Sequence, residues 1–306
     1  MHVHAGIAGG VDAMAWGGFM TPAFSDDRGA PTAIRMRVGV QLRRHRLARR
    51  LSREDAGWHI RASESKISRM ELGRVPFKER DVADLLMLYG VEGDERHALL
   101  ELVRQANAPA WWQSLSDVIP PWSLSYLGLE QAATMIRTYD LHFVPSLLQT
   151  PDYTRALLEL SDGSSPAQLS RRVSLCQGRQ RVLHGKNPAV LWAAVDEAAL
   201  RRQLGGPGVM RGQLEALAEA SRSPNIRLHI ASFQADALAT AGLPFAILRF
   251  AEPELPDMVY AEQPTGAVYL DRPLDIEQYA LAMERACATA VPPSRAEALI
   301  RRFLNS

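Results

Sequence analysis

The segment LSREDAGWHIRASESKISRMELG, residues 51–73, limits the possible fold of this chain more than any other segment. Ser52 is followed three residues later by Asp55, an acidic form of the capping box that starts a helix. Ser63 is a second helix start, and Gly73 suits the left-handed position at which a helix ends. Only two residues separate the two helices, so the chain must turn tightly between them. The sequence therefore predicts a helix-turn-helix.

The second helix of this pair has one apolar face and one polar face. At about 100° per residue, Ile67 and Met70 share one side, where we expect them to join a core. The other side is mainly polar and carries Glu64, Ser65, Ser68 and Arg69. A protruding helix with such a face fits the major groove of DNA, which is about 12 Å wide.

Positive charge is concentrated around this segment. Residues 34–80 contain 14 Arg or Lys against 5 Asp or Glu, a net charge of +9, whereas the whole chain carries only +1. A local basic field attracts a polyanion and gains free energy from counterion release. The alternative, a helical bundle whose Arg-rich face is merely solvated, explains the charge but neither the spacing nor the caps.

The N-terminal third of the chain predicts a tail and one helical domain. Residues 1–33 are rich in Gly, Ala and Met without a sustained period, so we expect a disordered tail. Residues 34–107 contain five short helical patterns, which predict a compact all-α domain. In its first helix, the predicted inward positions are Val38, Leu42 and Leu47.

Aromatic residues and prolines mark the join to a second domain. Residues 108–128 form an aromatic and Pro-rich connector that includes Trp111, Trp112 and Trp122. These side chains either pack into the second domain or form a surface for a ligand or partner. Residues 129–306 mix helical and strand patterns and predict an α+β domain.

Several elements of the second domain can be assigned from pattern. The segments AVLWAAV, IRLHI, FAILRF, MVYAE and AVYLD are typical of strands, the last two of a hairpin across QPTG. The segments LEQAATMIRTYDL, TPDYTRALLEL and QLSRRVSLCQGRQRVLH are typical of helices, with Thr150 and Ser165 as caps. Further helices are predicted at residues 209–221, 276–290 and 294–304.

The segment LSREDAGWHIRASESKISRMELGRV resembles the helix-turn-helix of the Cro/cI-type repressors of the XRE family. The resemblance implies an all-α five-helix domain in which residues 63–72 form the recognition helix. Two positions depart from the family pattern. Arg61 stands where the turn usually has Gly, and Gly57 stands where the preceding helix usually has Ala.

The same resemblance implies base-reading roles for Glu64, Ser65, Ser68 and Arg69. Arg69 is the strongest candidate, because a guanidinium can bond guanine O6 and N7 together. Glu64 fits two explanations equally, contact with cytosine N4 or a favourable charge at the start of a helix.

Other residues of the motif are assigned to phosphate contacts or to structure. The predicted phosphate contacts are Arg53, Ser63, Lys66 and Arg74. The predicted structural residues are Arg46, Ser52, Ile67, Met70, Glu71 and Gly73. Within the structural set, the resemblance implies that Glu71 pairs with Arg46.

The second half of the chain also resembles a known group. WWQSLSDVIPPWSLSYLGLEQAATMIRTYDLHFVPSLLQTPDYTRALL and GLPFAILRFAEPELPDMVYAEQPTGAVYLD are similar to the C-terminal domain of actinobacterial WhiJ-like, antitoxin-like regulators. The resemblance implies a transcriptional regulator, and we expect a homodimer because one helix-turn-helix buries little surface and reads only a few base pairs. Its operator binding would be controlled through this domain by a small molecule or by a small partner protein from a neighbouring gene. The alternative is an antitoxin-like module that sequesters such a partner and autoregulates its operon.

The sequence has no pattern typical of a catalytic or metal site. GxSxG, HExxH and Gly-Lys-Ser/Thr phosphate loops are missing, and Cys176 and Cys287 lack metal-ligand spacing. We therefore expect no catalytic residues, no metal and no cofactor. The apolar runs are shorter than the roughly 18 residues that span a bilayer, and residues 1–30 lack the pattern of a signal peptide. We expect a cytoplasmic protein.

Overall fold

A computed structural model describes residues 31–160, 165–233, 243–252 and 255–305. Within these ranges, an all-α N-terminal domain is followed by a domain with a mixed sheet and helices, which confirms the predicted fold class. None of the described helices is both long enough and apolar enough to cross a membrane.

Five helices form the N-terminal domain. They are α1 (Pro31–Ala48), α2 (Arg53–His59), α3 (Glu64–Glu71), α4 (Glu79–Leu88) and α5 (Gly93–Ala106). Val38 and Leu42 are buried as predicted, but the prediction for Leu47 is wrong because its side chain is 54% exposed. Arg46, four residues after Leu42, takes the inward position instead and is buried. The i, i+4 spacing keeps Val38, Leu42 and Arg46 on one face of α1.

The predicted boundary between tail and helix lies three residues too late. Helix α1 begins at Pro31, and Ala33 is buried in the core of the second domain. The residues that the prediction assigned to the end of a disordered tail are therefore helical, because the second domain covers them. Residues 1–30 of the predicted tail lie outside the described residues.

The second domain contains seven further helices and six strands within the described ranges. The helices are α6 (Leu124–Ala132), α7 (Pro151–Glu159), α8 (Pro166–Arg179), α9 (Glu197–Arg201), α10 (Pro207–Ala220), α11 (Pro273–Thr289) and α12 (Pro293–Leu304). The strands are β1 (Met135–Asp140), β2 (Val190–Asp196), β3 (Ile226–Ala231), β4 (Phe245–Arg249), β5 (Met258–Gln263) and β6 (Gly266–Leu270). Short 3-10 helices lie at Gln113–Val118, Pro121–Ser123, Ser146–Leu148 and Gln180–Leu183.

The six strands form one sheet in the order β3-β2-β1-β4-β5-β6. Strands β1, β2 and β3 are parallel, whereas β4, β5 and β6 are antiparallel to their neighbours. Helices α6, α7, α10 and α12 cover one face of the sheet and form the larger core with it. Helix α11 covers the other face. All five predicted strands, the hairpin and the caps at Thr150 and Ser165 are confirmed.

One predicted helix in the second domain is wrong. The segment LEQAATMIRTYDL was predicted as a single helix, but its first half belongs to α6 and its second half is β1. The backbone turns to an extended conformation at Ala133. Strand β1 lies between β2 and β4 and is buried on both faces, so its side chains show no alternation of apolar and polar residues. Such a run cannot be told from a buried helix by periodicity alone.

The two domains share helix α1. Thr32 packs against Gly128 of α6, where a Cβ atom would lie 2.1 Å from the Thr32 Oγ1 atom. Met36 and Val40, further along α1, pack against the core of the second domain. Beside this contact lies a groove of about 890 Å³ that both domains line. The N-terminal domain is thus attached to the second domain through the start of its first helix.

Candidate nucleic-acid interface

Local hydrogen bonds fix the starts of the two short helices, and a glycine ends the second. The Ser52 hydroxyl accepts a bond from the Asp55 backbone N–H at 3.0 Å, and the Asp55 carboxylate accepts one from the Ser52 N–H at 2.8 Å. The Ser63 hydroxyl accepts from the Lys66 N–H at 3.2 Å, which caps α3. Gly73 follows α3 with a φ of +63°, the left-handed conformation that a glycine adopts without strain. These bonds span three residues each, so the sequence alone could specify them.

The turn between α2 and α3 explains both departures from the family pattern. Arg61 has a φ of +54°, so it adopts the left-handed conformation that glycine usually takes in this turn. At Gly57, a Cβ atom would lie only 2.6 Å from the carbonyl oxygen of Ala62. The missing side chain at Gly57 lets the turn fold back closely onto α2.

A buried ion pair attaches the end of α3 to α1, on the side of α3 opposite its exposed face. Arg46 donates two hydrogen bonds to Glu71, from Nε to Oε1 at 2.5 Å and from Nη2 to Oε2 at 2.9 Å. Its Nη1 atom donates to the carbonyl oxygen of Leu51 at 2.7 Å. Hydrogen bonding to Glu71 raises the pKa of the Arg46 guanidinium. Because a buried ion needs a partner, this pair fixes the end of α3 against α1.

Helix α1 also touches the end of α3 through glycine. A Cβ atom at Gly39 would lie 2.5 Å from the Glu71 carbonyl oxygen and 2.6 Å from that of Met70. A Cβ atom at Gly73 would lie 2.5 Å from the Met36 backbone nitrogen. Gly39 was not predicted from the sequence. Its signal was a glycine inside an otherwise regular helical segment, where glycine needs a packing reason.

The free face of α3 is polar and exposed. Glu64, Ser65 and Arg69 are exposed and Ser68 is half-buried, whereas Ile67 and Met70 are buried in the core of the domain. Arg69 makes one long hydrogen bond, from Nε to the Ser65 carbonyl oxygen at 3.4 Å. Among the described residues it has no acidic partner within ion-pair distance. Its guanidinium is therefore available to a ligand.

The predicted phosphate contacts differ in how far they are already engaged. The Arg53 Nε atom lies 3.3 Å from Glu71 Oε2, and the Lys66 Nζ atom lies 2.5 Å from Asp81 Oδ2. The Ser63 hydroxyl serves as the cap of α3. Arg74 is exposed, and no acidic side chain in the described ranges pairs with it. Arg74 is thus the one of the four that needs no rearrangement to meet a phosphate.

Further cations around the motif add to the field. Exposed cations that form no ion pair with a described residue, and that were not predicted as DNA contacts, include Arg43, Arg50, Arg61 and Lys78. Arg61 lies in the turn directly before α3, and Arg50 lies in the turn before α2. Unpaired surface cations are those that can exchange their counterions for DNA phosphates.

Comparison with known families agrees with this architecture. A family model described as a helix-turn-helix domain matches residues 37–99. A second, described as "Domain of unknown function (DUF5753)", matches residues 124–302, more than half of the chain. The chain belongs to the DUF5753 family. A search among curated proteins and one among solved structures each gave no match. The helix-turn-helix match supports a DNA-binding regulator.

The three connector tryptophans lie just before the DUF5753 domain and pack against it. Trp112 is buried, and Trp111 meets its ring edge-on at a centroid distance of 5.6 Å. Trp111 also covers Gly178 of α8, where a Cβ atom would lie 2.4 Å from its ring. Trp122 donates from Nε1 to the Glu262 carboxylate at 3.2 Å. The role of these side chains as a ligand or partner surface stays a prediction.

Across the described ranges, no three His, Cys, Asp or Glu side chains are grouped so that they could hold a metal ion.

Proposed function

We propose that this DUF5753 chain is a sequence-specific transcriptional regulator that reads its operator through a Cro/cI-type, XRE-family helix-turn-helix. The observation that carries the proposal is the exposed and unpaired Arg69 on a helix that is fixed from behind. A fixed backbone matters because base reading requires donors held in position. The proposal includes no catalytic step and places the protein in the cytoplasm, where the operator is.

In this proposal, Arg69 reads guanine and the other exposed side chains of α3 complete the recognition surface. Ser65 and Ser68 bond bases or phosphate, and Glu64 meets cytosine N4 or only stabilises the start of the helix. Arg74 contacts phosphate directly. Arg53 and Lys66 do so after exchanging their present acidic partners for DNA.

We further propose that two copies bind together. One helix-turn-helix reads only a few base pairs and buries little surface, whereas two modules about 34 Å apart on one face of DNA multiply affinity and specificity. The DUF5753 domain would hold the two copies together. We expect light scattering to give the molar mass of a dimer. We also expect the operator to contain two half-sites.

Control of operator binding is proposed to pass through the DUF5753 domain. Thr32 of α1 lies against Gly128 of α6, and Met36 packs on the core of the same domain. A small molecule or a small partner protein that moves α6 would therefore shift α1 and reorient α3. Operator affinity would change by the coupling free energy between the two sites.

The test of DNA reading is footprinting of the full chain on its own upstream DNA. We expect Arg69→Ala to cost about 1–3 kcal/mol in operator binding and to relax specificity at one base pair. Arg74→Ala should weaken binding to all sequences alike and reduce the salt dependence by about one counterion. Arg211→Ala, an exposed change on α10, serves as the matched control. If no salt-sensitive, sequence-specific protection is seen, the proposal is wrong.

A second candidate is an antitoxin-like module that sequesters a small partner protein and autoregulates its operon. The observation in its favour is that Leu160, Phe233 and Leu274 of the second domain are 61–75% exposed, so a partner protein could bury apolar side chains there. Co-purification with the product of a small neighbouring gene separates the candidates. A stable stoichiometric complex favours sequestration, and a complex that never forms favours a small-molecule signal.

A further inference from the structure

The second domain contains a cavity of about 410 Å³ at the carboxyl end of β1. It lies on the face of the sheet that α6 covers, and α8 and the connector line it as well. Strand β1 lies in the middle of the sheet. Strands β2 and β3 follow it on one side, and strands β4, β5 and β6 follow it on the other. In open α/β sheets, ligands commonly bind outside the carboxyl ends of the parallel strands.

Two polar atoms of β1 in this cavity are poorly satisfied. Asp140 Oδ2 and Thr138 Oγ1 are shielded from solvent and make no well-formed hydrogen bond to a described residue, although the Thr138 hydroxyl is near enough to Asp140 to lower its pKa. Both side chains line the cavity, because residues two apart on a strand point to the same face. Buried polar groups are nearly always hydrogen-bonded, since an unsatisfied one costs free energy. A donor supplied by a ligand would remove that cost.

The Arg179 guanidinium, which also lines this cavity, already forms an ion pair. Arg179 of α8 donates two hydrogen bonds of 2.8 Å each to Glu130 of α6, so it forms a closed bidentate pair. Glu262 of β5 also lines the cavity and accepts from the Trp122 indole N–H. Asp140 is therefore the carboxylate of this cavity that is left for a ligand.

Aromatic rings supply the rest of the lining. Tyr126 and Tyr260 stack with a centroid distance of 4.0 Å, and Phe143 and Phe245 contribute apolar surface. A carboxylate beside aromatic faces is the chemistry that recognises an organic ammonium group. The cavity volume is within the range of small-molecule sites, which starts at about 300 Å³.

We propose that this cavity binds a small organic ammonium ion, with its nitrogen at Asp140 and its apolar body against the aromatic rings. The proposal rests on the proposed function and deepens it, because it names the chemical class of the signal. Helix α6 carries the effect. Its residues Tyr126 and Leu127 line the cavity, Leu129 lines the groove between the domains, and Gly128 contacts Thr32 of α1.

Proton release from Asp140 on ligand binding can be measured without a substituted variant. Burial raises the pKa of Asp140 to about 7, and the nearby Thr138 hydroxyl and Arg179 guanidinium only partly offset it. The other charged groups that line the cavity are Glu130 of α6, Arg172 of α8 and Glu262 of β5. An ammonium ion stabilises the ionised carboxylate, so binding near pH 7 should release part of a proton from Asp140.

The experiment uses the full chain and a panel of primary amines with aliphatic and aromatic bodies, each paired with the alcohol of the same skeleton. Isothermal titration compares the unaltered protein with Asp140→Asn and with the control Asp152→Asn, whose carboxylate is exposed on α7. We expect saturable binding of an amine and at least about tenfold weaker binding of its alcohol. Asp140→Asn should lose about tenfold in amine affinity, whereas Asp152→Asn should bind like the unaltered protein.

Titration in buffers of different ionisation enthalpy measures the proton release, so the proposal stays testable if Asp140→Asn does not fold. The absence of saturable amine binding, binding without proton release, or equal affinity in Asp140→Asn would each overturn it. Operator footprinting of the same samples separates the two proposals. Operator protection without Asp140-dependent amine binding contradicts the cavity proposal alone, whereas missing protection contradicts the regulator proposal.

Discussion

Arg61 is the residue at which the turn of the helix-turn-helix carries backbone strain. A left-handed conformation costs a residue other than glycine about 1–2 kcal/mol. Arg61→Gly removes that cost but makes the unfolded chain more flexible, so we expect the free energy of unfolding to rise by only about 0.5–1 kcal/mol. Urea denaturation measures the change. Arg61→Ala, which removes the side chain but keeps the strain, should show no gain, and an equal gain in both variants would contradict the explanation.

Asp140 makes the free energy of unfolding depend on pH. Its pKa in the folded protein, about 7, lies above its ordinary value of 3.8 because the carboxyl is buried. A raised carboxyl pKa favours folding at low pH, and this contribution is lost as the pH rises from about 4 through about 7. Asp140→Asn cannot ionise. We therefore expect its advantage in stability over the unaltered protein to be about 1–3 kcal/mol larger at pH 8 than at pH 5.

Denaturant midpoints at the two pH values measure this difference, with Asp152→Asn as the control for the loss of one surface carboxylate. A gain in stability that is the same at pH 5 and pH 8 would show that Asp140 does not titrate between them. The measurement needs no ligand, so it tests the burial of Asp140 independently of the amine proposal.

At the scale of elements, the contact between α1 and the end of α3 depends on Gly39. Gly39→Ala places a Cβ atom 2.5 Å from a backbone oxygen, so one helix must shift. We expect this change to lower the free energy of unfolding by about 1–3 kcal/mol and to weaken operator binding. The matched control is Gly212→Ala in α10, where a Cβ atom meets nothing within 4 Å. In that open position, alanine should stabilise its helix by about 0.5–1 kcal/mol.

Elements differ in how far sequence alone could predict them. Helices α2 and α3 were assigned correctly because their caps join residues three apart. Strand β1 was assigned to a helix because its hydrogen-bond partners lie in β2 and β4, more than fifty residues away along the chain. Gly39 was missed for the same reason, since the Glu71 backbone that it touches is brought close only by folding.

At the scale of the whole molecule, the contact between the domains depends on Gly128. A Cβ atom there would lie 2.3 Å from the Thr32 Cβ atom, so Gly128→Ala must push the first turn of α1 away from α6. We expect the amide hydrogens of residues 31–36 to exchange faster in this variant than in the unaltered protein. Gly212→Ala is again the control and should leave their exchange unchanged. Equal exchange in Gly128→Ala would show that the first turn of α1 is not held by α6.

The sequence by itself determined the helix-turn-helix, its caps and the basic field around it, because these depend on residues close together in the chain. It also located five of the six strands in the described ranges, since their composition differs from that of the helices beside them. The tertiary structure alone decided that α1 is shared between two domains, that Glu71 and Gly39 meet behind α3, and that Asp140 faces a cavity. Each of these features joins residues far apart in sequence, and only the packed chain brings them into contact.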